Sequence, residues 1–127
     1  MQVKELSGSA LAYLGDAVWS LWVREHLLLK GYQRADDLAK KAVAYNSAKG
    51  QAKIVHALME QAFLGEEELD IYKRGRNHKS KSIAKNADVI TYRTSTGFEA
   101  LIGYWYLAKN QTRIQQVMEI AKEVVGQ

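Results

Sequence analysis

Two apolar stretches of this chain each hold one carboxylate and nearby glycine, and any fold must find a place for both kinds of residue. The first is Leu-Ala-Tyr-Leu-Gly-Asp-Ala-Val, residues 11–18; the second is Thr-Gly-Phe-Glu-Ala-Leu-Ile-Gly, residues 96–103. A glycine inside a helix costs about 1 kcal/mol against alanine, and the close approach of two backbones is one compensation. A carboxylate on a helix face that enters a core is costly unless a cation or hydrogen-bond donors meet it. The helical neighbours of Asp16 are Ala12, Tyr13, Trp19 and Ser20, so no local ion pair serves it. If the two helices cross near Gly15 and Gly103, Asp16 and Glu99 face one small volume. Oxygen ligands there suit Mg²⁺ or Mn²⁺, which can activate water and stabilise charge on a phosphoryl oxygen. The structural alternatives are a cap or distant salt bridge for Asp16 and a first-turn, dipole-stabilised position for Glu99.

The rest of the chain reads as helix. None of the 127 residues is proline, so the main helix breaker is missing. No cysteine is present, which excludes disulfide scaffolds and thiolate metal sites and is compatible with the cytoplasm. The length suits one domain over residues 1–127. No apolar run reaches about 18 residues, so no membrane partner is expected.

Apolar periodicity predicts helices over residues 8–29, 36–43, 47–63 and 66–74. In the first, Leu11, Leu14, Val18, Leu21, Trp22 and Leu28 recur at three- and four-residue steps and Gly31 is the stop. Gly65 ends the third, whose inward residues are Ile54, Val55, Leu58 and Met59. Residues 75–95 read as an irregular connection, with a helical turn over residues 82–86. Ser95 or Thr96 then caps a helix over residues 98–108, and Thr112 caps the last, with Gln115 as its capping-box partner.

The net charge of +4 favours a polyanionic partner. Lys73, Arg74, Arg76, Lys79, Lys81, Lys85 and Arg93 crowd one connector, opposed by Asp88 alone, with Asn77, His78, Ser80 and Ser82 between them. Such a tract suits phosphate oxygens and ribose hydroxyls; the alternative is a solvated basic surface. Gly75, between Arg74 and Arg76, suggests a tight turn presenting both. The candidate RNA-binding residues are therefore Arg74, Arg76, Asn77, Lys79, Lys81, Lys85 and Arg93.

These residues resemble the ribonuclease III family. Leu14-Gly15-Asp16-Ala17-Val18 looks like the core of its signature, and Phe98-Glu99-Ala100-Leu101-Ile102-Gly103, followed by Tyr106-Leu107, looks like its second block. The order is the family's, and the resemblance spans nearly the whole chain. The short length, Arg74-Gly75-Arg76-Asn77 and the run from Ser82 to Asp88 look like the Mini branch, which lacks a double-stranded-RNA-binding domain.

The resemblance implies an all-α endonuclease bundle, acting as a homodimer, that cuts both strands of an RNA duplex and leaves a 5′ phosphate. It implies Mg²⁺ as cofactor, Asp16 and Glu99 as catalytic metal ligands, and Tyr13 as a dimer-interface aromatic. For the Mini branch it implies trimming of large-subunit ribosomal RNA precursor, aided by a ribosomal protein. Full-length members carry two further acids, where this chain has Ala12 and Thr96. That difference leaves a second reading open: a catalytically inactive ribonuclease III fold that binds RNA in ribosome assembly.

Overall fold

A computed structural model describes residues 1–78 and 87–126. After a 3₁₀ turn at Val3–Glu5, the described residues form six α-helices: α1 (Gly8–Leu29), α2 (Ala35–Asn46), α3 (Ala48–Glu60), α4 (Glu66–Arg76), α5 (Ala87–Leu107) and α6 (Gln111–Val124). No strand occurs among them, so the expected all-α bundle is observed.

The helix ends follow local chemistry. Ser7 caps α1, its Oγ accepting from Ala10 N at 3.1 Å, and Ser47 caps α3, accepting from Gly50 N at 3.0 Å. Gly31 closes α1 with φ +105°, while Tyr32 N donates back to Leu27 O at 3.1 Å. In α4 the Glu68 carboxylate reaches back to Gly65 N at 2.9 Å.

Helix α5, buried over most of residues 95–105, is the axis of the bundle and packs on α1, α3, α4 and α6. Trp19, Phe98, Leu101, Ile102 and Trp105 are fully buried along it, and the Trp19 ring meets Phe98 edge-on at 4.9 Å.

Several boundaries depart from the sequence expectation. Helix α5 begins at Ala87, well before Ser95 and Thr96. Those two side chains cap nothing. Ser95 Oγ and Thr96 Oγ1 donate back to Tyr92 O at 2.7 and 3.0 Å, a back-bonding that lets a hydroxyl sit inside a helix. Helix α6 is capped by Asn110, whose Oδ1 accepts from Arg113 N, rather than by Thr112. Helix α3 stops at Glu60, with Ala62 at φ 49° making the reversal ahead of Gly65. Gly75 is no turn. It is buried inside α4, where a Cβ would press on Ala100 and Gly97 of α5. On α1, Leu21 and Leu28 are exposed and the inward face is Leu11, Ala12, Gly15, Val18, Trp19, Val23 and Leu27. Met59 of α3 is also exposed. The helical turn expected over residues 82–86 lies outside the described residues.

Candidate active site

Helices α1 and α5 touch backbone to backbone. A Cβ on Gly15 would fall on the carbonyl oxygen of Glu99, and one on Gly103 would fall on the carbonyl oxygen of Leu11. Only glycine permits this contact at either point. The crossing brings Asp16, the residue after Gly15, beside Glu99. Asp16 is exposed at the rim and Glu99 is half-buried beneath it. Because α5 starts at Ala87, Glu99 lies in mid-helix and gains nothing from the N-terminal dipole.

The electrostatics of the pair are unfavourable within the chain. Burial, then the neighbouring Asp16 charge, pushes the Glu99 carboxyl up to about 8. A hydrogen bond to the Asp16 carboxyl adds to the rise, and one from Gln51 partly opposes it. Neither carboxylate forms an ion pair among the described residues. Glu99 Oε2 instead accepts from Gln51 Nε2 at 3.3 Å. Gln51 is not among the residues that the sequence singles out. Its signal there is its spacing: with Ile54, Val55 and Leu58 it forms one buried stripe of α3.

A divalent cation fits this chemistry. Two adjacent carboxylates with no ion pair among the described residues make an oxygen-rich corner suited to a hard ion, and the buried amide of Gln51 beside Glu99 has an Oε1 without a hydrogen-bond partner. No third His, Cys, Asp or Glu joins Asp16 and Glu99 among the described residues. Ala12 is buried, and Thr96 is buried with its hydroxyl turned to Tyr92 O. Asp16 and Glu99 would therefore hold the ion, with water as the remaining ligands. Such an ion lowers the pKa of bound water and stabilises charge on phosphoryl oxygen.

The basic residues separate into two groups. Arg74 turns inward, donating to Asp70 Oδ2 at 2.7 Å, to Leu6 O at 3.3 Å and to Lys4 O. Arg76 lies over the Tyr72 ring at 5.7 Å and donates to Asn77 Oδ1 at 3.2 Å; Asn77 and Arg93 are exposed. Lys79, Lys81 and Lys85 lie outside the described residues. Tyr13 is 86 % exposed on α1, three residues before Asp16.

Comparison with known proteins identifies the family. The Ribonuclease III domain family model matches residues 9–110. The chain is 47 % identical over 118 residues to the Mini-ribonuclease 3 of Streptococcus pneumoniae, covering 93 % of this chain and 92 % of that one. It is 51 % identical over 115 residues to the Mini-ribonuclease 3 of Brevibacillus brevis, covering 91 % and 84 %. Among solved structures it is similar to protein FN1578 of Fusobacterium nucleatum, with a TM-score of 0.82 and 34 % identity over 94 % of this chain and 95 % of that one. The family match over most of an all-helical chain defines a nuclease of one class, and this chain belongs to the ribonuclease III family, in its Mini-ribonuclease 3 branch. It is an endoribonuclease. The family generally depends on divalent metal and acts on double-stranded RNA as a dimer. No helix among the described residues is long and apolar enough to cross a membrane.

Proposed function

We propose that residues 1–127 form one catalytic domain that hydrolyses phosphodiester bonds of double-stranded RNA with Mg²⁺, or Mn²⁺ in its place, leaving a 5′ phosphate. The observation that carries this reading is the convergence of Asp16 and Glu99 at the α1–α5 crossing, with no ion pair to either among the described residues. These two residues hold the metal and position the attacking water. The substrate is a large-subunit ribosomal RNA precursor in the cytoplasm, with a large-subunit ribosomal protein assisting; the support is likeness to the Mini-ribonuclease 3 proteins.

The duplex is gripped by Arg76, Asn77 and Arg93, together with Lys79, Lys81 and Lys85 of the same basic tract. The chain works as a homodimer through the outer face of α1. Tyr13, Leu21 and Leu28 are all exposed along that helix, a stripe of apolar surface that a second copy would cover. Because Tyr13 neighbours Asp16, that face adjoins the metal site.

The test is cleavage of duplex and single-stranded RNA with and without Mg²⁺, using wild type, Asp16→Asn and Glu99→Gln. The expected result is Mg²⁺-dependent cutting of the duplex alone, abolished in both variants while duplex binding is retained. Wild-type rates in either variant would remove that residue from the site.

A further inference from the structure

Gln51 stands out among the buried side chains. It is 2 % exposed and, with Ser95 and Thr96, one of three buried polar residues among those described. The two hydroxyls satisfy themselves on their own helix. Gln51 reaches across to another helix instead, its Nε2 donating to Glu99 Oε2 at 3.3 Å and to Asn46 O at 3.4 Å. Its Oε1 takes no hydrogen bond. An amide buried with one unsatisfied atom is destabilising, and its neighbours on the stripe are Ile54, Val55 and Leu58. An apolar side chain would serve the core better at this position.

We infer that Gln51 is a positioning residue of the metal site, a neutral donor that fixes the Glu99 carboxylate without neutralising it. The inference rests on the reading of Asp16 and Glu99 as metal ligands. A lysine or arginine at this place would also orient Glu99, but its charge would compete with the cation. An amide supplies direction only, so the negative charge of Glu99 remains for a divalent ion. The second bond, to Asn46 O at the end of α2, anchors the amide against rotation. Outer partners of this kind commonly change metal affinity or activity by about 10–100-fold when removed.

The experiment uses Gln51→Met, which keeps length and removes both hydrogen bonds, and Gln51→Leu as a second apolar variant. Mn²⁺ binding to the RNA-free protein is followed by the decline of the free-ion electron paramagnetic resonance signal, alongside thermal melting and the Mg²⁺ dependence of duplex cleavage. The expected result is a melting temperature at or above wild type, Mn²⁺ binding weakened by about 10-fold or more, and a parallel rise in the Mg²⁺ concentration that half-saturates cleavage. A lowered melting temperature with wild-type Mn²⁺ binding and Mg²⁺ half-saturation would make Gln51 merely structural and overturn the inference. Glu99→Gln is run in parallel. If it binds Mn²⁺ and cleaves like wild type, the metal-site reading itself fails and the inference falls with it. If it is inactive while Gln51→Met and Gln51→Leu bind Mn²⁺ normally, only the role of Gln51 fails.

Discussion

Glu68 and Glu99 are the same side chain, partly buried in the same bundle, and their surroundings drive them in opposite directions. Glu68 receives Arg113 Nη2 at 2.5 Å and Nε at 2.9 Å, Trp105 Nε1 at 2.8 Å and Gly65 N at 2.9 Å. Arg113 in turn donates to Phe63 O at 2.7 Å and stacks over the Phe63 ring at 3.8 Å. Burial pushes the Glu68 carboxyl up, but the hydrogen bonds and charge of Arg113, with the donors of Gly65 and Trp105, bring it below its usual value. Glu99 has one neutral donor and a second carboxylate, and it rises to about 8. One carboxylate is complete within the chain. The other meets no cation among the described residues, as the proposed role of metal ligand requires.

The largest contrast is in what removing each charge does. Asp16→Asn and Glu99→Gln should each lower duplex cleavage by more than about 100-fold, since a catalytic metal contributes several kcal/mol to transition-state charge stabilisation. With metal chelated, Glu99→Gln should nonetheless leave the fold as stable as wild type or more so. The folded carboxyl titrates near 8, above its ordinary value of 4.5, so the native state holds the extra proton between those values. Stability therefore falls as pH rises through that window. Urea unfolding in chelator at pH 5 and pH 8 should show a flatter pH dependence in Glu99→Gln. An unchanged slope would mean that Glu99 is not the strained member of the pair.

Arg113→Ala should do the reverse. It leaves Glu68, with only 16 % of its side chain exposed, without its cation. Breaking a well-buried pair costs about 3–5 kcal/mol; partial exposure reduces this to about 2–3 kcal/mol. Because the folded pKa of Glu68 is depressed, this stabilisation is present above the unfolded pKa and disappears as pH falls through the folded value. Acid titrations of wild type and Glu68→Gln, followed by circular dichroism, measure that contribution. A drop in stability equal at neutral and acid pH would assign the effect of Arg113 to packing on Phe63 instead.

The same two carboxylates show what a sequence reveals. The Asp16–Glu99 pair is legible because glycine and acid recur together in apolar runs, and Gly15 and Gly103 do meet at the crossing. The pattern around Glu68 announces only a helix start, because its partner Arg113 lies on another helix. Serine and threonine at 95 and 96 carry the same letters as a cap, and only the tertiary path shows them bonding backward inside α5. Gly75 misleads for a like reason: one residue type marks both a turn and a tight helix contact. On α1, apolar residues occur all round, so periodicity cannot separate the core face from the exposed Leu21 and Leu28. The spacing of Gln51 places it on the buried stripe of α3, but no neighbouring residue marks it as more than an ordinary polar position.

Gly15→Ala tests whether the site depends on the crossing itself. The added methyl meets the Glu99 carbonyl oxygen, a backbone atom that cannot rotate away. Overpacking of this kind costs about 1–3 kcal/mol, and it acts on the contact that sets Asp16 beside Glu99. Chemical denaturation should show that destabilisation, and cleavage should fall further than stability alone explains. Full activity in the folded fraction would separate the carboxylates from the glycine contact.

The smallest effect distinguishes arginines in the same terms as the glutamates. Arg74, like Glu68, has its partners inside the protein, in Asp70 and the carbonyls of Lys4 and Leu6. Arg74→Ala should lower stability by about 1 kcal/mol, the net value of a typical hydrogen bond, and leave the salt dependence of duplex binding unchanged. Arg76 and Arg93, like Glu99, lack a protein counter-ion among the described residues. Arg76→Ala with Arg93→Ala should leave melting nearly unchanged and weaken binding. It should also reduce the slope of log K against log salt by about one for each phosphate that is no longer neutralised. Binding isotherms at several salt concentrations decide it. A slope that moves with Arg74 instead would place the RNA on the α4 face beside the N-terminal segment, and a slope that moves with neither would return the described arginines to an ordinary solvated surface.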